Sequence, residues 1–188
     1  MITRPYPHAS IGQISSRFIA LEPWRTQQHT GVDFVPPNAY GIPLVAVEDC
    51  VINKIITPDL LDNDYADLKR GYGVEMAGAS GWIYLFWHLL PFLGVKEGDV
   101  VKQGKIVGWI GNSGLVYYRG EYVPLNIRTD NPHLGAHLHA EKYKWISGKK
   151  EYHDITEDVD WKLPVKYDRL DWLTSIRVAL LRMKAVLS

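Results

Sequence analysis

Glycine and proline cut most of this chain into pieces too short for ordinary helices. Every Gly, and every Pro but Pro164, lies between Pro5 and Gly148. Between these breaks stand short runs of β-branched and aromatic residues. Leu44-Val45-Ala46-Val47 and Val51-Ile52-Asn53-Lys54-Ile55-Ile56 read as strands. Gly73-Val74-Glu75-Met76-Ala77 leads into the turn Gly78-Ala79-Ser80-Gly81, and residues 82–88 return, which predicts a hairpin. Strict alternation in the returning strand puts Trp82, Tyr84, Phe86 and His88 on one face and Ile83, Leu85 and Trp87 on the other. Both faces are apolar, so this strand is expected between two layers. The expected fold is all-β, an antiparallel sheet sandwich.

The tail differs. Leu170, Leu173, Ile176, Leu180, Met183 and Leu187 recur at steps of 3 and 4, the spacing of an apolar helical stripe. Arg169, Arg177, Arg182 and Lys184 decorate it. The expected division is a β-rich domain over 1–150 and an extension with an amphipathic helix over 151–188. That helix would dock on its own domain, meet a partner or oligomer helix, or lie on a membrane surface. Two long loops are expected, 57–71 and 115–132. The first carries Asp62-Asn63-Asp64, but Ala66 and Asp67 break the calcium-loop pattern.

Charge and cysteine content narrow the function. Lys and Arg total 21, as do Asp and Glu, so the formal net charge is zero. A neutral chain lacks the broad basic footprint of a nucleic-acid binder. The single Cys excludes an internal disulfide and a thiolate zinc site. Cys50 is expected as a buried free thiol. No apolar run approaches the roughly 18–20 residues of a membrane span. No secretory h-region follows Met1, so synthesis in the cytoplasm is expected.

Histidine carries the chemistry. Among the seven are two clusters, His29-Thr30-Gly31-Val32-Asp33 and His137-Leu138-His139 followed by Glu141. On a strand, His137, His139 and Glu141 share one face, with successive members about 7 Å apart. Gly31 would permit a turn that points His29 and Asp33 inward. Neutral imidazole and carboxylate are the ligands Zn²⁺ takes when Cys is absent. Two His and one carboxylate leave a coordination position open, as catalytic zinc sites do.

Seven ordered segments carry a family resemblance. They are Ser16-Arg17-Phe18, His29-Thr30-Gly31-Val32-Asp33-Phe34, Gly41-Ile42-Pro43-Leu44-Val45-Ala46, Gly71-Tyr72-Gly73 with Leu85-Phe86-Trp87-His88-Leu89, residues 95–108 with their Gly-Asp-x-Val-x-x-Gly hairpin, Gly111-Asn112-Ser113-Gly114, and Gly135-Ala136-His137-Leu138-His139-Ala140-Glu141. From Gln13 to Trp145 the chain resembles the lysostaphin-type (LytM-like) zinc metallopeptidases, which cut peptide bonds in bacterial cell-wall peptidoglycan. The resemblance implies a barrel-sandwich hybrid fold, Zn²⁺ on His29, Asp33 and His139, and unliganded catalytic His137 and His88. It implies a peptidoglycan stem peptide or cross-bridge as substrate, with the enzyme reaching the wall by lysis or on a phage particle. His137 is the expected base and His88 the stabiliser, though the roles could exchange.

Departures from the family pattern are Phe86 for Tyr, Ala136 for Pro, and the 115–132 insertion beside the histidine pair. That insertion is expected to form part of the groove wall. Glu141 is expected to orient a neighbour or pair with a surface cation. A catalytically idle peptidase fold serving as a binding or structural module is the alternative, and a biotinyl or lipoyl carrier a third reading. The intact set of five residues favours the enzyme.

Overall fold

The computed structural model describes residues 1–22, 27–58 and 70–162. The expected helix over 170–187 and the Asp62-Asn63-Asp64 run fall outside the described residues. Twelve strands and one short α-helix are described. They are β1 (Ile14–Ser16), β2 (Gly31–Phe34), β3 (Pro43–Val45), β4 (Cys50–Ile56), β5 (Tyr72–Gly78), β6 (Ile83–Leu89), β7 (Val100–Val101), β8 (Ile106–Trp109), β9 (Tyr117–Tyr118), β10 (Glu121–Tyr122), α1 (Leu125–Asp130), β11 (Leu138–Ile146) and β12 (Lys149–His153). None of the described helices is long and apolar enough to cross a membrane.

The main sheet is antiparallel throughout, in the order β1-β2-β11-β6-β5-β4-β7. β11 is its longest strand and has two partners along one edge. Residues 138–141 pair with β2, and residues 142–146 pair with β12. A separate ribbon of β3 and β8 packs over one face of the sheet. Leu44 and Val107 from the ribbon meet Ile52, Val74, Met76, Tyr84 and Phe86 from the sheet in one apolar cluster. Leu85, Trp87, Tyr143 and Ile56 form a second cluster on the opposite face. The all-β architecture is therefore as expected, and β6 buries side chains on both faces, one under the ribbon and the other in a cluster built from the sheet's own strands. Each fully buried Leu or Phe here contributes roughly 1.5–3 kcal/mol.

Three local features depart from the sequence reading. First, β6 is bulged at His88. Leu89 pairs with Tyr72 and Trp87 with Gly73, so His88 is an extra residue on its strand. It adopts φ +61°, a left-handed conformation that a side chain rarely takes. Strict alternation would put His88 beside Phe86 in the core. The bulge turns it to the face of Trp87 instead, as bulges do beside active sites.

Second, Gly31 lies inside β2 rather than in a turn. A Cβ there would lie 2.5 Å from the Ala140 carbonyl oxygen and 3.0 Å from His139 Nε2. Gly31 thus serves a close approach between neighbouring strands. Third, the 115–132 segment is ordered. β9 and β10 form a hairpin across Arg119 (φ 52°) and Gly120 (φ 84°), both left-handed as a type I′ turn requires. The α1 helix follows.

Candidate active site

The active-site face is built where β2, β11 and β6 lie side by side. Asp33 on β2 pairs with His139 on β11, and His139 pairs with Trp87 on β6. His29 precedes β2 by two residues. The chain bends at Thr30, between His29 and the start of the strand, and His29 reaches the face that Asp33 occupies. Since Gly31 has no side chain, the His139 ring fits between His29 and Asp33.

The result is a tight triangle of donor atoms. His29 Nε2 lies 2.9 Å from His139 Nδ1, His139 Nδ1 lies 2.8 Å from Asp33 Oδ1, and His29 Nε2 lies 3.2 Å from Asp33 Oδ1. Two imidazole nitrogens and one carboxylate oxygen on one point suit a divalent zinc ion. The far nitrogens are committed elsewhere. His29 Nδ1 faces the Arg17 carbonyl at 3.0 Å and Ser16 Oγ at 2.9 Å. A carbonyl only accepts, so Nδ1 carries the proton and Nε2 offers its lone pair to the triangle. His139 Nε2 faces Glu141 Oε1 at 3.1 Å.

Glu141 is fully buried. Its Oε1 also accepts from Thr30 Oγ1 at 2.6 Å and Arg70 Nη1 at 3.3 Å. It therefore does both things expected of it, orienting His139 and pairing with a cation that reaches the surface. Arg70 also lies over the Trp87 ring at 5.4 Å. Nothing in the sequence marked Arg70, because it belongs to no motif.

Without metal, these contacts set the charges. Burial works against a charged His139, but its hydrogen bonds to Asp33 and Glu141 outweigh burial and push its pKa up to about 9. Burial raises the carboxyls, yet the hydrogen bonds and charges around them win. Asp33 is held well below the usual carboxylate range by His139 and His29, and Glu141 is held at about 2 by His139, Arg70 and Thr30.

His88 and His137 form a second pair beside the triangle, with ring centroids 4.4 Å apart. His88 lies 6.2 Å from the His139 ring, and His137 Nε2 lies 3.9 Å from Asp33 Oδ1. His88 Nδ1 donates to the Ser113 carbonyl at 2.7 Å, and His137 Nδ1 donates to the Gly135 carbonyl at 2.9 Å. Each ring is thereby held as the Nδ1–H tautomer with a free Nε2 lone pair. Burial, then the neighbouring histidines, drives His88 well below the ordinary histidine pKa, and burial lowers His137. Both rings are neutral at pH 7, and a neutral imidazole can accept a proton.

These groups lie in a cleft of about 860 Å³. Ser15, Gln27 and Val35 form one side, and Tyr117, Tyr118 and Arg119 of the hairpin form another. Tyr117 and Tyr118 are exposed, and the Arg119 guanidinium lies 5.2 Å from the Tyr118 ring centroid. His133 also lines the cleft, with its ring against Tyr40. The insertion is thus a groove wall. Cys50 is buried away from the cleft, and burial with nearby Glu48 and Asp49 pushes its thiol up to about 12.

The scaffold and the cluster point to one class, the peptidases. Residues 27–150 match the sequence model of Peptidase family M23, and the chain belongs to that family. Among solved structures it is similar to LytU, with 24% identity and a TM-score of 0.54 over 74% of this chain and 80% of that one. It is similar to a zinc containing peptidase from Vibrio cholerae, with 21% identity and a TM-score of 0.54 over 81% of this chain and 39% of the other. It is also similar to the antimicrobial peptidase lysostaphin from Staphylococcus simulans, with 22% identity and a TM-score of 0.51 over 74% and 47%. The chain spans less than half of the last two. At these identities the likeness is one of fold. Comparison with curated proteins returns no match.

Proposed function

We propose that this chain is a zinc-dependent endopeptidase that hydrolyses peptide bonds in bacterial peptidoglycan. The observation that carries the reading is the pairing of two histidine sets. Three ligand atoms, from His29, Asp33 and His139, lie within 4.8 Å of one another, and two neutral histidines stand beside them with free Nε2 atoms.

His29, Asp33 and His139 would hold the ion. When bound, zinc supplies a Lewis acid for a peptide carbonyl and lowers the pKa of a coordinated water to about 7. The protein's own groups do the rest. His137 Nε2, nearer Asp33, takes a proton as general base. His88, whose ring centroid lies 4.4 Å from that of His137, would receive that proton from it and pass it to the oxygen that gains charge or to the departing amine. The carbonyls of Ser113 and Gly135 keep both rings aimed throughout. Glu141 fixes the His139 ring so that Nδ1 faces the ion. The hairpin wall receives the peptide chain.

Metal analysis combined with hydrolysis of purified peptidoglycan tests this. The expected outcome is about one zinc per chain and release of new amino termini. A wild-type protein that holds no zinc at neutral pH would defeat the reading. Mass spectrometry of the fragments would name the bond cut.

A further inference from the structure

Aiming His88 depends on an irregular loop. Its Nδ1–H donates to the Ser113 carbonyl, which lies between Gly111 and Gly114. Gly114 has φ +77°, and glycine on both sides leaves such a segment pliable. The loop does have anchors to the sheet. The Gly111 N–H donates to the His88 carbonyl at 2.9 Å, and Ser113 Oγ donates to the Leu89 carbonyl at 2.8 Å. These ties fix the loop's inner edge against the bulge. The Tyr72 N–H adds a bond to Ser113 Oγ at 3.0 Å, but none of these bonds goes to the carbonyls on either side of Ser113.

Arg128 bonds to both. It projects from α1, in the insertion, and is only 6% exposed. Its Nη1 donates to the Gly114 carbonyl at 2.6 Å and also to the Asn112 carbonyl. Those carbonyls flank the one that carries His88. The nearby Tyr122 hydroxyl favours the charged form of Arg128. No described carboxylate lies within ion-pair distance of it. Burying a guanidinium is expensive, and among the described residues its desolvation is offset by neutral oxygens. Apolar packing would anchor an insertion at lower cost. The arrangement makes sense if the carbonyls themselves need holding. Asn112 Nδ2, donating to the Pro132 carbonyl at 3.0 Å, ties the same loop to the far end of the insertion.

We propose that Arg128 is a positioning residue for His88, clamping the carbonyls on both sides of Ser113 so that the Ser113 oxygen stays where His88 Nδ1–H needs it. The insertion then has two functions. Its hairpin forms the groove wall, and its helix braces a catalytic ring. The proposal rests on the reading of His88 as an acting histidine. Loss of the clamp leaves the metal triangle untouched, because none of its ligands contacts Arg128 or the 111–114 loop.

The test compares wild-type protein with Arg128→Met, which keeps bulk and removes both donors. In nitrogen-edited NMR, the His88 Nδ1 proton of the wild type is expected as a slowly exchanging signal, and it is expected to be lost or exchange-broadened in Arg128→Met. Zinc content should not change. On solubilised peptidoglycan fragments kcat should fall roughly 10- to 100-fold, the scale of a small misplacement of a reacting group, with KM within about threefold. In Arg128→Ala, added guanidinium ion at tens of millimolar should restore part of both the signal and kcat. If Arg128→Met does not fold, Arg128→Lys replaces it, with one donor group and an intermediate loss expected. An unchanged His88 signal with unchanged kcat overturns the proposal. So does a loss of activity that tracks loss of zinc or rises in KM alone, since that would make Arg128 a general staple. If the wild type cuts no peptidoglycan, the functional reading fails, while the NMR comparison still decides whether Arg128 holds His88.

Discussion

The two halves of the active site are made in different ways. The metal triangle is written into sheet register. Asp33 and His139 are direct partners on β2 and β11, His29 joins them across the bend at Thr30 just ahead of β2, and Gly31 leaves the gap that His139 fills. The His88 and His137 pair is set instead by irregular backbone. One ring rests on the Ser113 carbonyl and the other on the Gly135 carbonyl, and His88 reaches the site only through a bulge. A register-built triangle is stiff, because moving it means slipping a paired strand. A loop-built pair can be adjusted without disturbing the metal ligands. On the proposed reading, the difference separates what would bind the ion from what would move protons, and it can be attacked from either side.

The largest expected effect is His139→Ala, which should abolish zinc binding and with it all hydrolysis, read by metal analysis and fragment release. His137→Ala should keep its zinc and lose roughly 10²–10⁴ in kcat. If both variants lose zinc equally, the two halves are not separate. Gly31→Ala comes next. Its new Cβ would press on the Ala140 carbonyl of the adjoining strand, so a destabilisation of about 1–3 kcal/mol is expected, seen as a lower melting temperature together with weaker zinc binding.

Acidity gives a subtler probe of the register-built half. In the metal-free protein His139 holds its proton to about pH 9, raised by Asp33 and Glu141 against burial. A ligand nitrogen must be neutral, so binding at pH 7 should expel about one proton per zinc. Affinity should rise with pH and level off above about 9. Calorimetry in two buffers of different ionisation enthalpy measures this, and an affinity flat between pH 7 and 9 would contradict the arrangement. The smallest effect belongs to the wall. Tyr118→Ala should raise KM a few-fold, with zinc and kcat nearly unchanged, as loss of uniform binding does.

The sequence displayed the register-built half far better than the other. Alternation around His139, the strand runs from 43 to 89, and the hairpin at Gly78-Ala79-Ser80-Gly81 are short-range patterns, and the structure reproduces them. The bulge at His88 is not short-range. It exists because Leu89 pairs with Tyr72 while Trp87 pairs with Gly73, a one-residue offset that only the partner strand reveals. Gly31 was read as a turn residue because its close neighbour, Ala140, lies 109 positions away in sequence. The hairpin at Arg119-Gly120 escaped notice because an arginine in a left-handed turn position is uncommon. Arg70 and Arg128 gave no signal, since each earns its place through a distant carboxylate or carbonyl.

The Val123 N–H donates to the Val116 carbonyl at 3.0 Å, and both valines are buried against the scaffold. The segment between them therefore begins and ends at nearly one point. Changes of sequence or length within residues 117–122 need not move the strands on either side, since the two ends already meet. On the proposed reading, this stretch could be rewritten to alter which peptides are accepted, while the strands that would hold the ion stay as they are.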